Sequence, residues 1–284
     1  MNTFELSGAG EKNILILAGV HGNELTSIYC AYILKENLLA AHSTCKNKMF
    51  KKITILNNIN IEGVRKNTRE IPTESNEDLN RMFSNETSLN LKEDLQKYFE
   101  ENDVIIDIHT SPSCTEFVLI NQDEYANSYI KYAKEHNIDY LIRYNNSNTI
   151  KKFCLENNKI SFTIELNKIG SIDHDSAKKG MELIENIINN IDNFELKKSE
   201  PTNDTYIEFF HHKEGLFLPQ KKLGEIVLPG EIIGMILDLK TLSHKTIVIY
   251  NKSFPSKIIC DSGNSYVSAS NSICYMQPIE IAVE

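Results

Sequence analysis

Arginine is scarce in this chain of 284 residues, because only four of its 30 basic residues are arginines. Three of the four, Arg65, Arg69 and Arg81, fall within one short stretch, and the fourth is Arg143. Where lysine supplies the positive charge almost everywhere, an arginine indicates a need for the planar, forked guanidinium group. The stretch from 65 to 81 is therefore a candidate for contacts with an anionic ligand.

An excess of positive charge is also missing. The formal net charge is −9, which argues against nucleic acid as the main partner because phosphate binding needs a basic face. The longest apolar run near the N-terminus, Ile14–Val20, is too short to span a bilayer and follows no basic leader. We therefore expect neither nucleic acid nor a membrane as a partner.

Closely spaced cysteines are absent as well. The six cysteines are scattered without a CxxC pair, at Cys30, Cys45, Cys114, Cys154, Cys260 and Cys274. This spacing predicts neither a disulfide framework nor a cysteine–zinc site. Reduced thiols in a cytoplasmic protein are the simplest interpretation.

What the sequence does contain is an alternation of strand-like and helix-like segments over its first two thirds. Apolar or β-branched runs predict strands at Asn13–Val20, Lys52–Asn57, Val104–His109, Glu116–Asn121, Tyr140–Tyr144 and Ile160–Leu166. Amphipathic stretches predict helices at Glu24–Leu39, Leu89–Asn102, Tyr125–Asn137 and Ser176–Phe194, the last with Asp175 as its N-cap. This alternation predicts an α/β fold with a mixed, largely parallel sheet flanked by helices.

The pattern changes near residue 195. The segment Glu195–Thr205 is polar and contains a proline, as is typical of a linker. Beyond it the helical period disappears, and short strand-like runs punctuated by glycine follow: Tyr206–Phe210, Gly215–Leu218, Glu225–Leu228, Ile232–Leu237, Thr246–Tyr250 and Lys257–Cys260. We predict a hydrolase domain at 1–197 and a small all-β domain at 198–284.

The most informative motif follows the first predicted strand, in the sequence ILILAGVHGNE. His21 and Glu24 are released together from the end of a buried strand and can approach one zinc ion from the same side. His109, at the end of the strand DVIIDIH, can supply a third ligand. Two histidines and one carboxylate leave a fourth position open for water, as in catalytic zinc sites. The sequence therefore predicts a zinc-dependent hydrolase.

Other polar residues at predicted strand ends can complete such a site, because functional groups collect at the C-terminal ends of strands in α/β sheets. Glu165, inside the apolar run SFTIEL, is the candidate general base. Asp107 shares a strand face with His109 and can orient it by hydrogen bonding. Asn80 and Arg81 can together bind a substrate carboxylate through their amide and guanidinium groups. The guanidinium of Arg69 can stabilise an oxyanion.

The chain carries the motifs GVHGNE, TRE, EDLNRMF, DIHTSPS and TIEL in this order. In these motifs and their order it resembles the zinc carboxypeptidase-like superfamily, and most closely its succinylglutamate desuccinylase/aspartoacylase branch. The resemblance covers most of residues 10–195. It implies one zinc per subunit held by His21, Glu24 and His109, with Glu165 as the general base. It also implies that Arg69 polarises the scissile carbonyl and that Asn80 and Arg81 bind the substrate carboxylate.

The chain departs from that family at two places, and it leaves one family residue to be identified. The spacing between Arg69 and Asn80 is long, so Arg65 is an alternative for the role of Arg69. The family places a further arginine shortly before the base, where this chain offers only lysines, of which Lys152 or Lys159 can substitute. It also uses a tyrosine of the C-terminal domain, for which Tyr250 and Tyr266 are the candidates.

We therefore expect a cytoplasmic zinc-dependent amidohydrolase that removes the acyl group from a small N-acyl amino acid. Self-association into a homo-oligomer is compatible with this expectation. Two alternatives stay open at this point: a metallocarboxypeptidase acting on peptides, and a non-catalytic ligand-binding module that has kept the fold.

Overall fold

The first two thirds of the chain form a seven-stranded sheet. A computed structural model describes residues 2–43, 50–73, 76–82, 91–143, 149–200, 207–210, 214–238, 245–250, 252, 254–261, 266–267 and 272–278. The strands are β1 (Asn2–Ser7), β2 (Asn13–Ala18), β3 (Lys52–Asn57), β4 (Val104–Ser111), β5 (Phe117–Asn121), β6 (Tyr140–Arg143) and β7 (Ile160–Asn167). Their spatial order is β1-β3-β2-β4-β7-β5-β6. Only the β1–β3 and β5–β7 pairings are antiparallel, which confirms the predicted mixed, largely parallel sheet.

Helices cover both faces of this sheet. They are α1 (Leu25–Ser43), α2 (Ile61–Lys66), α3 (Leu91–Glu101), α4 (Ala126–Glu135), α5 (Ile150–Glu156) and α6 (His174–Asn190), with 3₁₀ turns at Leu79–Arg81 and Ile191–Asn193. Successive residues of β2 point to opposite faces, so Ile14 and Ile16 pack with α1 and α6, whereas Leu15 and Leu17 pack with α3 and α5. Burial on both faces explains why β2 is a continuous apolar run.

In the part of the chain that the structure describes, no helix combines the length and the hydrophobicity that crossing a bilayer requires.

Several element ends differ from the sequence-based expectation. Helix α6 begins at His174, and its N-cap is Asp173, whose carboxylate accepts a hydrogen bond from the backbone N–H of Ser176 at 3.0 Å. The predicted cap, Asp175, lies instead inside the first turn, so that prediction was wrong by two residues. The apolar stripe predicted for this helix is confirmed, because Ile184, Ile187, Ile188 and Ile191 are all buried.

The C-terminal part is built from two antiparallel sheets. Its strands are β8 (Ile207–Phe210), β9 (Gly215–Pro219), β10 (Ile226–Val227), β11 (Ile232–Leu237), β12 (Lys245–Ile249), β13 (Ser256–Asp261), β14 (Tyr266–Val267) and β15 (Ser272–Pro278). The sheet orders are β10-β13-β15-β8 and β12-β11-β9-β14. A small all-β C-terminal region is thereby confirmed, whereas the boundary between residues 197 and 198 stays a prediction.

Strand β13 joins the two parts of the molecule. The ammonium group of Lys257 pairs with the carboxylate of Asp139, whose nearer oxygen lies 2.5 Å away. The hydroxyl of Ser113 donates to Oδ1 of Asp261 at 2.7 Å. A small buried cluster fills the space between them, formed by Cys114, Phe117, Leu141, Ile259 and Cys260. The C-terminal sheets are therefore held against the segment that follows β4.

Candidate metal centre and substrate cavity

The loop after β2 passes very close to α2. A Cβ atom on Gly22 would lie 2.1 Å from the backbone carbon of Gly63, so only glycine fits this contact. The N–H of Gly22 also donates to the carbonyl oxygen of Arg69 at 3.1 Å. These contacts fix the backbone directly after His21, and the hydrogen bond ties the His21 loop to the segment that carries Arg69.

We expect the substitution Gly22→Ala to lower the free energy of unfolding by about 3 kcal/mol, because backbone atoms of α2 cannot yield as a side chain can. Gly230→Ala is the matched control, since a Cβ there has open space around it, although φ is positive at +86°. The control should cost about 1 kcal/mol. Urea unfolding of both variants measures the difference, and equal losses would contradict the importance of this contact.

Three buried side chains that can each ligate a metal ion converge where β2 and β4 end. The Nδ1 atoms of His21 and His109 are 3.1 Å apart. The two carboxylate oxygens of Glu24 lie 2.7 Å from Nδ1 of His21 and 3.1 Å from Nδ1 of His109. All ligating atoms of the three residues fall within 4.8 Å of one another, which suits a single metal ion. This is the set of two imidazoles and one carboxylate that the sequence predicted.

The remaining ring nitrogens of the two histidines each contact a carboxylate. Nε2 of His109 lies 2.8 Å from Asp107, and Nε2 of His21 lies 3.1 Å from Asp78. Such contacts hold a ligating imidazole in one tautomer and one orientation, and leave Nδ1 free to bind a metal. Sequence patterns predict this contact for Asp107 but not for Asp78. The motif DLNR contains Asp78, and an aspartate that caps a turn beside a predicted site is the signal that could have identified it.

Charge at the cluster favours a bound cation. Burial by itself raises the pKa of the Glu24 carboxyl, but His109 and His21 bring that pKa down to about 2. Burial likewise lowers the pKa of His109, but Asp107 and Glu24 outweigh it and raise this pKa well above its usual value. The Glu24 carboxylate therefore stays ionised at neutral pH and stabilises positive charge beside it, which is the charge that a divalent metal supplies.

Glu165 lies directly beside this cluster on β7. It is the register partner of His109 in the parallel pairing of β4 with β7. The hydroxyl of Ser111, on β4, donates to Oε2 of Glu165 at 2.8 Å. Burial raises the pKa of Glu165, and the nearby His109 only partly offsets that effect. A carboxylate with a raised pKa close to a metal cluster is suited to accept and return a proton.

A cavity of about 240 Å³ opens over these groups. Its walls include the three candidate ligands, the candidate base and three further predicted residues: His21, Glu24, His109, Glu165, Arg69, Asn80 and Arg81. Nη1 of Arg69 lies 3.4 Å from Glu24, and Oδ1 of Asn80 accepts the backbone N–H of Ile150 at 3.0 Å. The structure thus brings together seven residues that lie far apart in the chain.

Other predicted site residues lie elsewhere. Arg65 is exposed on α2, where it pairs with Glu62 at 2.6 Å, and it does not line the cavity. Lys152 lies 3.9 Å from Glu156 at the surface. The ammonium of Lys159 donates to a backbone carbonyl at the end of α3. None of these three long side chains lines the cavity: Arg65 and Lys152 pair within their own helices, and Lys159 reaches the end of α3.

Of the two tyrosine candidates, Tyr250 does not line the cavity either. Tyr250 is fully buried in the core of the C-terminal part. Its hydroxyl donates to the carbonyl oxygen of Phe254 at 2.9 Å and shares a hydrogen bond with Oγ of Ser256 at 2.8 Å. These local partners explain why Tyr250 points inward. The side chain of Tyr266 lies outside the described residues.

The cavity is also lined by two cationic side chains that sequence patterns do not assign to the site. Lys151, from α5, is buried, and its ammonium donates to the carbonyl oxygen of Leu119 and lies 4.8 Å from the ring centroid of Tyr129. Burial lowers the pKa of Lys151 to about 8. Arg143, at the end of β6, is the second. The scarcity of arginine could have identified Arg143, whereas one lysine among many carries no such signal.

Comparison with known proteins agrees with this geometry. A family model described as the succinylglutamate desuccinylase/aspartoacylase catalytic domain matches residues 10–191. In sequence, no curated protein matches the chain significantly.

Several solved structures share the fold. A crystal structure of an aspartoacylase family protein from Mesorhizobium loti is similar at 17% identity and a TM-score of 0.73, covering 98% of this chain and 89% of that one. A product-bound structure of the ectoine utilization protein EutE from Ruegeria pomeroyi is similar at 15% identity and a TM-score of 0.67, covering 98% and 88%. Murine aminoacylase 3 is similar at 14% identity and a TM-score of 0.58, covering 96% and 97%.

The family model spans well over half of the chain, and the structural neighbours carry the same arrangement of sheets and helices. This chain therefore belongs to the succinylglutamate desuccinylase/aspartoacylase family.

Proposed function

We propose that the protein is a zinc-dependent deacylase that hydrolyses the amide bond of a small N-acyl amino acid. The observation that carries the proposal is the convergence of His21, Glu24 and His109 directly beside Glu165 at one wall of a small cavity. Membership of a family named for desuccinylase and aspartoacylase activity supports amide hydrolysis.

The donor set fits zinc. Two imidazole nitrogens and a carboxylate are the ligands of zinc sites that leave one position open for chemistry. His21, Glu24 and His109 would hold the ion, while Asp78 and Asp107 would keep the two rings in place. A zinc ion bound there would polarise the amide carbonyl and lower the pKa of a water molecule towards neutrality.

The protein's own groups can carry the proton transfers. Glu165, held by Ser111, would accept the proton of the attacking water and pass it to the nitrogen of the leaving amine. The guanidinium of Arg69, 41% exposed at the cavity, would donate hydrogen bonds to the oxygen on which negative charge develops. Each role assigns one proton or one charge to a named side chain.

The walls of the cavity favour a substrate that carries a carboxylate. Three of the chain's four arginines, Arg69, Arg81 and Arg143, line it together with the buried Lys151. This concentration of cations contrasts with the net charge of −9 for the whole chain. We infer that Asn80 and Arg81 bind the free carboxylate, because guanidinium groups bind carboxylates with two parallel hydrogen bonds.

A substrate screen tests the proposal. We expect the zinc-loaded protein to hydrolyse at least one member of a panel of acetyl-, succinyl- and formyl-amino acids, and to release no C-terminal residues from short peptides. Release of C-terminal residues alone would instead indicate a carboxypeptidase. No hydrolysis of either class, together with no zinc uptake, would leave a ligand-binding module as the interpretation.

The same assay separates the two candidate arginines. Arg69→Ala should lower kcat/KM by about 10²–10³-fold, as removal of an oxyanion donor does. Arg65→Ala is the matched control and should leave kcat/KM unchanged, because Arg65 is exposed and pairs only with Glu62 among the contacts described. A larger effect at Arg65 than at Arg69 would reverse the assignment.

Zinc as the metal carried in the cell, a cytoplasmic location and assembly into a homo-oligomer remain predictions. Metal analysis of purified protein and sedimentation measurements address the first and the last.

A further inference from the structure

Two cysteines face each other where the segment after β4 meets β13. Cys114 and Cys260 form an isolated antiparallel bridge between the two parts of the molecule. Two backbone hydrogen bonds flank the pair, from Thr115 N to Ile259 O at 2.8 Å and from Asp261 N to Ser113 O at 3.2 Å. The pair is thus of the non-hydrogen-bonded type, in which side chains approach most closely and Cα atoms are about 4.5 Å apart.

This separation suits a disulfide, which needs Cα atoms about 4.4–6.8 Å apart. The two thiols already interact, and the hydrogen bond with Cys260 and burial both raise the pKa of Cys114. Both cysteines are buried in the same small cluster, although Cys260 is somewhat more exposed, at 9% against 3%. The backbone therefore needs no rearrangement for the two sulfur atoms to bond.

We propose that Cys114 and Cys260 are a site of reversible oxidation, at which a hydroperoxide converts the two thiols into a disulfide that joins the segment after β4 to β13. The proposal is independent of the deacylase assignment, because it rests on this interface alone.

The reaction balances as follows. The Cys260 thiol, the more exposed of the two, gives up its proton, and its sulfur attacks the terminal oxygen of the hydroperoxide. The O–O bond breaks, and the departing oxygen takes up that proton and leaves as an alcohol or as water. The resulting sulfenic acid is attacked by the sulfur of Cys114, the S–S bond forms, and the S–O bond breaks with loss of water. Two thiols are thereby oxidised and one hydroperoxide is reduced, and an added dithiol reverses the product by exchange.

The other described cysteines are placed differently. Cys30 and Cys154 are buried in separate cores of the α/β part, on either face of the sheet. Cys274 lies on β15, one residue from the register partner of Cys260. It packs into the core of the C-terminal part rather than into the interface cluster. Cys274 is therefore the competing partner that an experiment must distinguish.

The link would reach close to the candidate active site. The backbone N–H of Cys114 donates to Oδ1 of Asn167 at 3.3 Å, and its thiol donates to the carbonyl oxygen of Leu166 at 3.3 Å. Both acceptors directly follow Glu165 on β7. A disulfide would thus fix the C-terminal sheets to the strand that carries the candidate base.

The experiment treats the reduced, folded protein with hydrogen peroxide and then maps peptides under non-reducing conditions. We expect a linked pair of peptides containing Cys114 and Cys260, a mass lower by two hydrogen atoms, and full reversal by dithiothreitol. The thermal midpoint should rise by about 5 °C, because the link closes a long loop of the unfolded chain.

Cys114→Ser and Cys260→Ser should each abolish both effects, whereas the control Cys154→Ser should retain them. Peptide mapping of the unsubstituted protein decides the matter even if a variant fails to fold. The proposal is overturned by a Cys260–Cys274 link, by oxidation to sulfinic or sulfonic acids without a link, or by a link that forms only in urea.

Discussion

Replacing Glu165 with glutamine is expected to lower kcat by about 10²–10⁴-fold, the range over which a positioned general base contributes. The amide keeps the shape of the side chain and can still accept the hydrogen bond that Ser111 donates, but it cannot accept a proton. Because Glu165 is not one of the three candidate metal ligands, the variant should bind as much zinc as the unsubstituted protein. Steady-state kinetics and metal analysis on the same preparation provide both numbers.

The matched control is Glu116→Gln, a change of the same chemistry at a carboxylate that pairs with Lys179 at 3.6 Å away from the cavity walls. It should leave kcat within about twofold of the unsubstituted protein, because Glu116 does not line the cavity that holds the candidate site. Unchanged kcat in Glu165→Gln would remove this residue from the mechanism.

The pH dependence follows from the environment of Glu165. A general base works in its ionised form, so activity should fall as the pH drops through the pKa of this group. Since burial raises that pKa above the ordinary glutamate value, the acidic limb of kcat/KM should lie at higher pH than an exposed glutamate would produce. Glu165→Gln should abolish this limb in whatever activity remains.

Replacing His21 with alanine is expected to lower zinc affinity by more than about 100-fold. Removing a residue that only contacts a metal ligand costs up to about 100-fold, and removing a ligand itself should cost more. The remaining pair, Glu24 and His109, cannot complete the set of three protein ligands that catalytic zinc sites use. Zinc content measured after dialysis against a weak chelator should fall from one ion per chain to a small fraction.

His174→Ala is the matched control for this experiment. His174 begins α6 and contacts only the edge of the Tyr29 ring among the ring contacts described, with centroids 4.8 Å apart. Its replacement should leave the zinc content unchanged. Equal zinc content in His21→Ala and His174→Ala would show that the metal, if bound, lies elsewhere.

The sequence allowed the centre of the site to be predicted because its residues follow recognisable strands. His21 and Glu24 come directly after an apolar run, and His109 and Glu165 lie in two others, so the topology of a parallel sheet brings them to one edge. The arginine cluster was informative for a chemical reason, since guanidinium is not interchangeable with ammonium. These signals lie within short stretches of sequence, so they can be recognised without knowing how the chain packs.

The residues that were missed depend on tertiary contacts. Lys151 reaches the cavity because α5 packs across the sheet, and α5 is too short to show a helical period. Asp78 contacts His21 across 57 positions of the chain, so its place as the cap of the DLNR turn is a sequence signal for a site residue, but nothing in the spacing indicates the contact with His21. Tyr250 was a candidate because the family resemblance implies a tyrosine from the C-terminal part, but its hydroxyl is satisfied by neighbours only a few residues away.

The edges of the fold were also beyond the sequence patterns. Strand β1 reads NTFELS, half polar, and it was not predicted because it pairs at the rim of the sheet. The N-cap of α6 was misplaced because two aspartates, Asp173 and Asp175, compete within one turn, and only the folded backbone decides which carboxylate reaches an N–H. Such choices depend on fractions of a kcal/mol and on exact dihedral angles.

The pairing of His109 with Glu165 has one consequence for how proteins of this kind diverge. Their relative position is set by rungs of main-chain hydrogen bonds between two interior strands, and the surrounding loops have no part in it. Insertions, deletions or new side chains around the rim can therefore reshape which molecules enter, while the spacing between the candidate ligand His109 and the candidate base Glu165 is preserved. An engineer seeking new acyl specificity should leave these two strands and the loop that carries His21 and Glu24 untouched, and randomise only the other segments that overhang the cavity.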